Sequence, residues 1–128
     1  MRSASPRLIA IFLAGFLLIG CNSKSDPASP AVARGEELSR ERGCVSCHST
    51  DGSESVGPTW KGLAGSKVEL ADGSIVTTDD AYLEESIKQP SAKTVKGFQE
   101  GLMETVIKPG ALTDDEVAAL IAYIESLR

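Results

Sequence analysis

The sequence predicts a small all-α domain of three to four helices with one surface β-hairpin near residues 68–76. Three observations carry this. Stretches of helical apolar spacing open behind capping residues at Ser29, at Thr78 or Asp79, and at Thr113. The one alternating stretch turns on Asp72-Gly73. With the N-terminal segment set aside, Trp60, Tyr82, Phe98 and Tyr123 are the only aromatic residues, a thin supply for the core of a domain of about a hundred residues. Something other than side chains is expected to fill the middle.

The chain opens with Arg2 and Arg7 ahead of an apolar run from Leu8 to Gly20, long enough for a secretory signal and short for a membrane span. Its end, Leu18-Ile19-Gly20-Cys21, resembles a bacterial lipobox, in which the cysteine is acylated and becomes the first mature residue. An ordinary signal peptide that contains a cysteine is the alternative. Residues 1–20 are thus expected to be a lipoprotein signal peptide, and Cys21 the site of an anchor at a membrane surface outside the cytoplasm, on its periplasmic side or at the cell surface. Residues 21–30 are polar and rich in Ser and Pro, a flexible tether spanning at most roughly 30 Å. Residues 31–128 form the folded domain.

Removing residues 1–20 takes away Arg2 and Arg7 and no acids, leaving 11 of the 13 basic residues against 18 acidic ones, a formal charge of about −7. An acidic chain is a poor partner for nucleic acid. A polybasic attachment to anionic lipid is equally unsupported.

The elements follow in order. Ser29 caps a helix that begins at Pro30, runs through Val32 and Leu38 and ends near Gly43, delivering CVSCH at a helix end. Residues 50–57 are a polar loop, and 58–64 hold one short helical turn. Val68 to Val76 forms a hairpin on Asp72-Gly73. Thr78 or Asp79 caps a second helix through Tyr82, Leu83 and Ile87, which Pro90 stops. From Pro90 to Leu112 no period is sustained, and a loop of that length in a small domain is usually functional. Thr113-Asp-Asp-Glu116 is a capping box, Leu112 can staple onto Val117, and Val117, Leu120, Ile121 and Ile124 share one face of the last helix.

C-x-x-C-H at residues 44–48 is the attachment motif of c-type haem: Cys44 and Cys47 each add to a vinyl group, and the adjacent His48 turns toward the iron. Three other chemistries compete for these residues. Structural zinc needs four ligands, and with Cys21 acylated only Cys44, Cys47 and His48 are on offer. A redox dithiol wants a βαβ context. A plain Cys44–Cys47 disulfide leaves the histidine and the thin core unexplained.

His48 is the only histidine of the chain, and Met103 the only methionine beyond the signal. Methionine or a second histidine is the usual partner across the iron, so Met103, in the aperiodic segment, is the candidate sixth ligand. Lys96, Lys108 and an open sixth position are the alternatives, as is a Met103 that only fills a core gap.

GCVSCHSTDGS, VGPTWKGLAG, LADGSIV, DDAYLEESIKQP, GFQEGLM and LTDDEVAALIAYI, in that order across residues 31–128, resemble a mono-haem class I cytochrome c. The likeness is strongest to the cytochrome domain fused to the copper-bearing subunit II of some bacterial cytochrome oxidases. It implies the small class I fold, three to four helices around one covalently bound haem c, and a non-enzymatic carrier that shuttles single electrons in a respiratory-type chain.

By the same resemblance, the Pro58 carbonyl accepts a hydrogen bond from His48, and Trp60 donates its indole N–H to a haem propionate. Two departures stand out. Met103 is followed by Glu104 where relatives commonly have proline, which predicts a less stiff ligand loop. No residues are left to build a copper centre, so a free-standing, monomeric carrier is expected, with redox partner proteins as donor and acceptor and the membrane reached through Cys21. Lys61, Lys67, Lys93, Lys96 and Lys108 could form a basic docking rim or be ordinary solvated lysines. A haem sensor or weak peroxidase with a displaceable sixth ligand is the competing function, and a lipid-anchored interaction module without haem is the third.

Overall fold

The computed structural model describes residues 26–27 and 29–128. The expected signal peptide, Cys21 and most of the tether lie outside the described residues.

Helix α1 spans Pro30–Glu41. Ser29 Oγ accepts from the Val32 amide at 3.2 Å, and proline occupies the first helical position, where its missing N–H costs nothing. Pro30, at the boundary of the expected tether, is therefore already helical. The helix stops at Arg42, and Gly43 takes a left-handed φ of 74°, a conformation glycine adopts without steric cost. A single 3-10 turn, Cys44–Ser46, follows.

The hairpin pairs β1 (Lys67–Glu69) with β2 (Ile75–Thr77) in antiparallel register, Val68 opposite Val76. Its turn is longer than the two residues Asp72-Gly73 suggest. The Gly73 amide bonds to the Leu70 carbonyl at 2.9 Å, and Asp72 Oδ1 accepts from the Ser74 amide at 2.9 Å. Leu70 is pulled into the interior and bridges to Val95, which sets where the strands can end.

Helix α2 spans Asp80–Lys88 and is capped by Asp79, whose carboxylate accepts from the Tyr82 amide at 2.9 Å. Thr78, the other candidate cap, is fully buried instead. Its hydroxyl bonds to the Leu63 carbonyl and its amide to the Ser66 carbonyl, which ties the 61–66 turn to the start of α2.

The segment from Pro90 to Leu112 contains a helix that its sequence conceals, α3, Leu102–Val106. Five residues cannot establish a 3.6-residue period, so no pattern marks it. Helix α4 spans Asp114–Ser126. Both bonds of its capping box are made: Thr113 Oγ1 accepts from the Glu116 amide at 3.3 Å, and Glu116 Oε2 from the Thr113 amide at 2.9 Å.

The core forms where α4 packs along α1 and also touches α2. Sandwiched in this way, α4 buries a wider arc than one apolar face. Ala119, Ala122 and Tyr123 are enclosed as well as Val117, Leu120 and Ile124. Helices α1 and α4 approach closely at Gly35, where a Cβ would lie 2.0 Å from the Ala119 carbonyl oxygen and 2.7 Å from Tyr123 Cβ. No side chain fits there. Glycine within a helix costs about 1 kcal/mol relative to alanine, and here it allows two backbones to meet.

Candidate haem site

The 3-10 turn carries both thiols and the imidazole out of one tight piece of chain: the His48 and Cys47 amides both donate to the Cys44 carbonyl, at 3.0 and 3.1 Å. Cys44 and Cys47 are free thiols, half-buried. Burial pushes the Cys44 thiol up from its ordinary pKa, opposed by its own backbone and the nearby Arg42. Among the described residues no group of three or more His, Cys, Asp or Glu side chains could hold a metal ion.

The polar loop after His48 folds straight back. The Gly57 amide donates to the Cys47 carbonyl and the Trp60 amide to the Ser49 carbonyl, both at 2.8 Å. This return brings the Pro58 carbonyl to 2.8 Å from His48 Nδ1. A carbonyl only accepts, so Nδ1 carries the proton and the neutral ring keeps its lone pair on Nε2. Burial pushes the imidazole below its ordinary pKa, with the Pro58 bond pulling the other way, and the neutral form is favoured.

Two neighbours hold the ring in place. Trp60 stacks on it, centroids 5.2 Å apart and planes 19° from parallel, and Tyr123 meets Trp60 edge-on at 6.1 Å. Gly57 lies so close that a Cβ would sit 2.7 Å from His48 Cε1 and 2.9 Å from Nδ1. Gly57 is the site residue that sequence reasoning missed. Its only signal was its place before Pro58, because the requirement for glycine is set by the approaching ring. Trp60 is 6% exposed and its indole N–H makes no hydrogen bond among the described residues.

Cys44, Cys47, His48, Pro58, Trp60 and Met103, far apart in the chain, all line one cleft. Met103 reaches it from α3, while Leu83 and Ile87 of α2 and Ile124 of α4 complete the apolar lining. Val56, Phe98 and Val106 line the same cleft yet are 54%, 36% and 54% exposed. Large apolar side chains left open around one cleft mark a place where apolar surface is to be covered. Of the lysines expected to border it, Lys93 lines the cleft, but it is paired with Glu85, and Lys96 with Glu69.

A model of the cytochrome c family matches residues 32–128. The chain belongs to the cytochrome c family. No curated protein matches it. Among the described residues, four helices and a two-stranded antiparallel sheet form the small class I cytochrome c fold, and a member of this family carries one covalently bound c-type haem and works by haem-based electron transfer. The donor set of the cleft fits that group: two free thiols one turn apart, an imidazole with a free Nε2 lone pair, a thioether, and otherwise mostly apolar lining.

Proposed function

We propose that this cytochrome c is a lipid-anchored, single-electron carrier of a respiratory-type chain. Cys44 and Cys47 would hold the haem through thioethers, and His48 and Met103 would ligate its iron. One observation carries the reading: a histidine with Nδ1 bonded to Pro58, and the only methionine beyond the signal, line the same apolar cleft as two free thiols.

The haem supplies a one-electron Fe(III)/Fe(II) couple. Pro58 keeps the proton on His48 Nδ1 and so aims Nε2 as the donor, and Trp60 and Gly57 stop the ring from turning. Met103 provides a soft thioether, which favours the reduced state and raises the potential relative to a second histidine. The apolar lining disfavours the extra positive charge of the oxidised state. The unpaired indole N–H of Trp60 is available to a haem propionate. If His48 and Met103 both ligate the iron, the chain itself would leave no open position for a substrate, which suits a carrier and not a sensor or peroxidase. Acylation of Cys21 would tether the domain to a membrane surface outside the cytoplasm, where it would meet donor and acceptor proteins as a monomer.

The deciding measurement is the ferric optical spectrum of wild type beside Met103→Ala. The methionine-to-iron charge-transfer band is expected in the wild type and absent from the variant, which should also bind carbon monoxide when reduced. A wild type without that band, or with rapid stoichiometric carbon monoxide binding, would favour the sensor reading.

A further inference from the structure

Met103 sits on a weakly attached piece of chain. Helix α3 is five residues long, and glycines with left-handed φ stand on both sides of it, Gly97 and Gly101 before and Gly110 after. Ile107, just past its C-terminal end, is buried and pins that side. Within residues 99–111 the backbone bonds run between near neighbours, such as the Ile107 amide to the Met103 carbonyl at 2.9 Å and the Ala111 amide to the Lys108 carbonyl at 3.0 Å. Thr105 bonds back to Leu102 of its own helix. Among the described residues a single hydrogen bond ties this stretch to another part of the fold: Ser91 Oγ donates to Glu104 Oε2. Ser91 directly follows Pro90, which ends the α2 segment. The tie therefore holds the residue next to Met103 against the stretch just after α2, where Pro90 lines the cleft.

We propose that Ser91 and Glu104 are positioning residues, a latch that keeps Met103 over the cleft and sets how readily the sixth position opens. Neither touches the iron. The latch rests on the reading of Met103 as a ligand. Glu104 occupies the position where a proline would stiffen the loop covalently, and the hydrogen bond to Ser91 does this work across space instead. A covalent stiffener cannot be undone, whereas a hydrogen bond exposed to water can open and reform.

The test uses the full-length, haem-loaded protein in wild-type, Ser91→Ala, Glu104→Ala, Glu104→Gln and doubly substituted (Ser91→Ala with Glu104→Ala) forms. Carbon monoxide binding to the reduced protein and thermal loss of the charge-transfer band in the oxidised protein are followed, with helix content monitored alongside. Each alanine variant is expected to bind carbon monoxide about three- to tenfold faster, the factor that loss of one ordinary hydrogen bond gives. The band should fade at lower temperature while helix content holds. The double variant should be no worse than either single one, because both remove the same bond. Glu104→Gln, which still offers a carbonyl oxygen to Ser91, should restore most of the wild-type behaviour. Unchanged kinetics in Ser91→Ala and Glu104→Ala, or additive effects in the double variant, would overturn the latch while leaving Met103 as ligand. Absence of the band from the wild type would overturn the ligand reading and the latch with it.

Discussion

Gly57 and His48 are in contact, with room for a hydrogen and no room for a methyl: a Cβ on Gly57 would fall 2.7 Å from Cε1 and 2.9 Å from Nδ1 of the imidazole. The ring cannot back away freely, because Trp60 stacks on it and the Pro58 carbonyl holds Nδ1. Gly57→Ala is accordingly expected to cost about 1–3 kcal/mol of stability by overpacking. It should also weaken the Nδ1 bond and broaden the haem spectrum. Denaturant midpoints and optical spectra of the two proteins check this, and a variant as stable as wild type would show that the ring has space to shift.

A second glycine gives a prediction in which two effects oppose each other. Gly35→Ala gains about 1 kcal/mol of intrinsic helix propensity. Against that stands a Cβ 2.0 Å from the Ala119 carbonyl oxygen, which belongs to helix backbone and cannot step aside. Pushing α1 off α4 should win, with a net loss of about 1–3 kcal/mol in chemical unfolding. A stabilised Gly35→Ala protein would contradict the close crossing.

Stability should depend on pH through the start of α4. The Thr113 amide, and then Arg42, hold the Glu116 carboxyl below the usual carboxylate range. Lys88 does the same for Asp114. A carboxyl whose pKa is lower in the folded state adds stability above its unfolded value, and that contribution is lost as the pH falls through the folded one. Glu116→Gln should therefore unfold earlier than wild type at neutral pH, with the gap closing below about pH 4. Urea midpoints over this range provide the comparison. A gap that stays constant with pH would mean that the Glu116 charge contributes nothing.

Cys21→Ser should move the protein from the membrane fraction to the soluble one without changing its covalent haem content. Each acyl CH₂ withdrawn from the bilayer forfeits about 0.8 kcal/mol. Fractionation with a pyridine haemochrome assay on both fractions would read this. Wild type already found in the soluble fraction would remove the anchor.

What could be read from the sequence was whatever depends on neighbours along the chain. Ser29, Asp79 and Thr113 cap helices through residues three positions away, Pro90 stops α2 through its own ring, and CVSCH declares its chemistry in five consecutive residues. Met103 is legible in the composition, since few residues of its chemistry are present. The rest depended on distant segments coming together, and no local pattern encodes that. Gly35 is required because Ala119 lies against it, and Gly57 because His48 does. Thr78 is buried and not a cap because the 61–66 turn closes over it. Helix α3 is too short to leave a period, and Ser91 meets Glu104 only once the chain has turned back past the cleft. The haem motif was therefore determined by sequence alone. How firmly the chain grips what that motif attaches was decided by packing, because steric fit and hydrogen bonds act between atoms close in space whatever their separation along the chain.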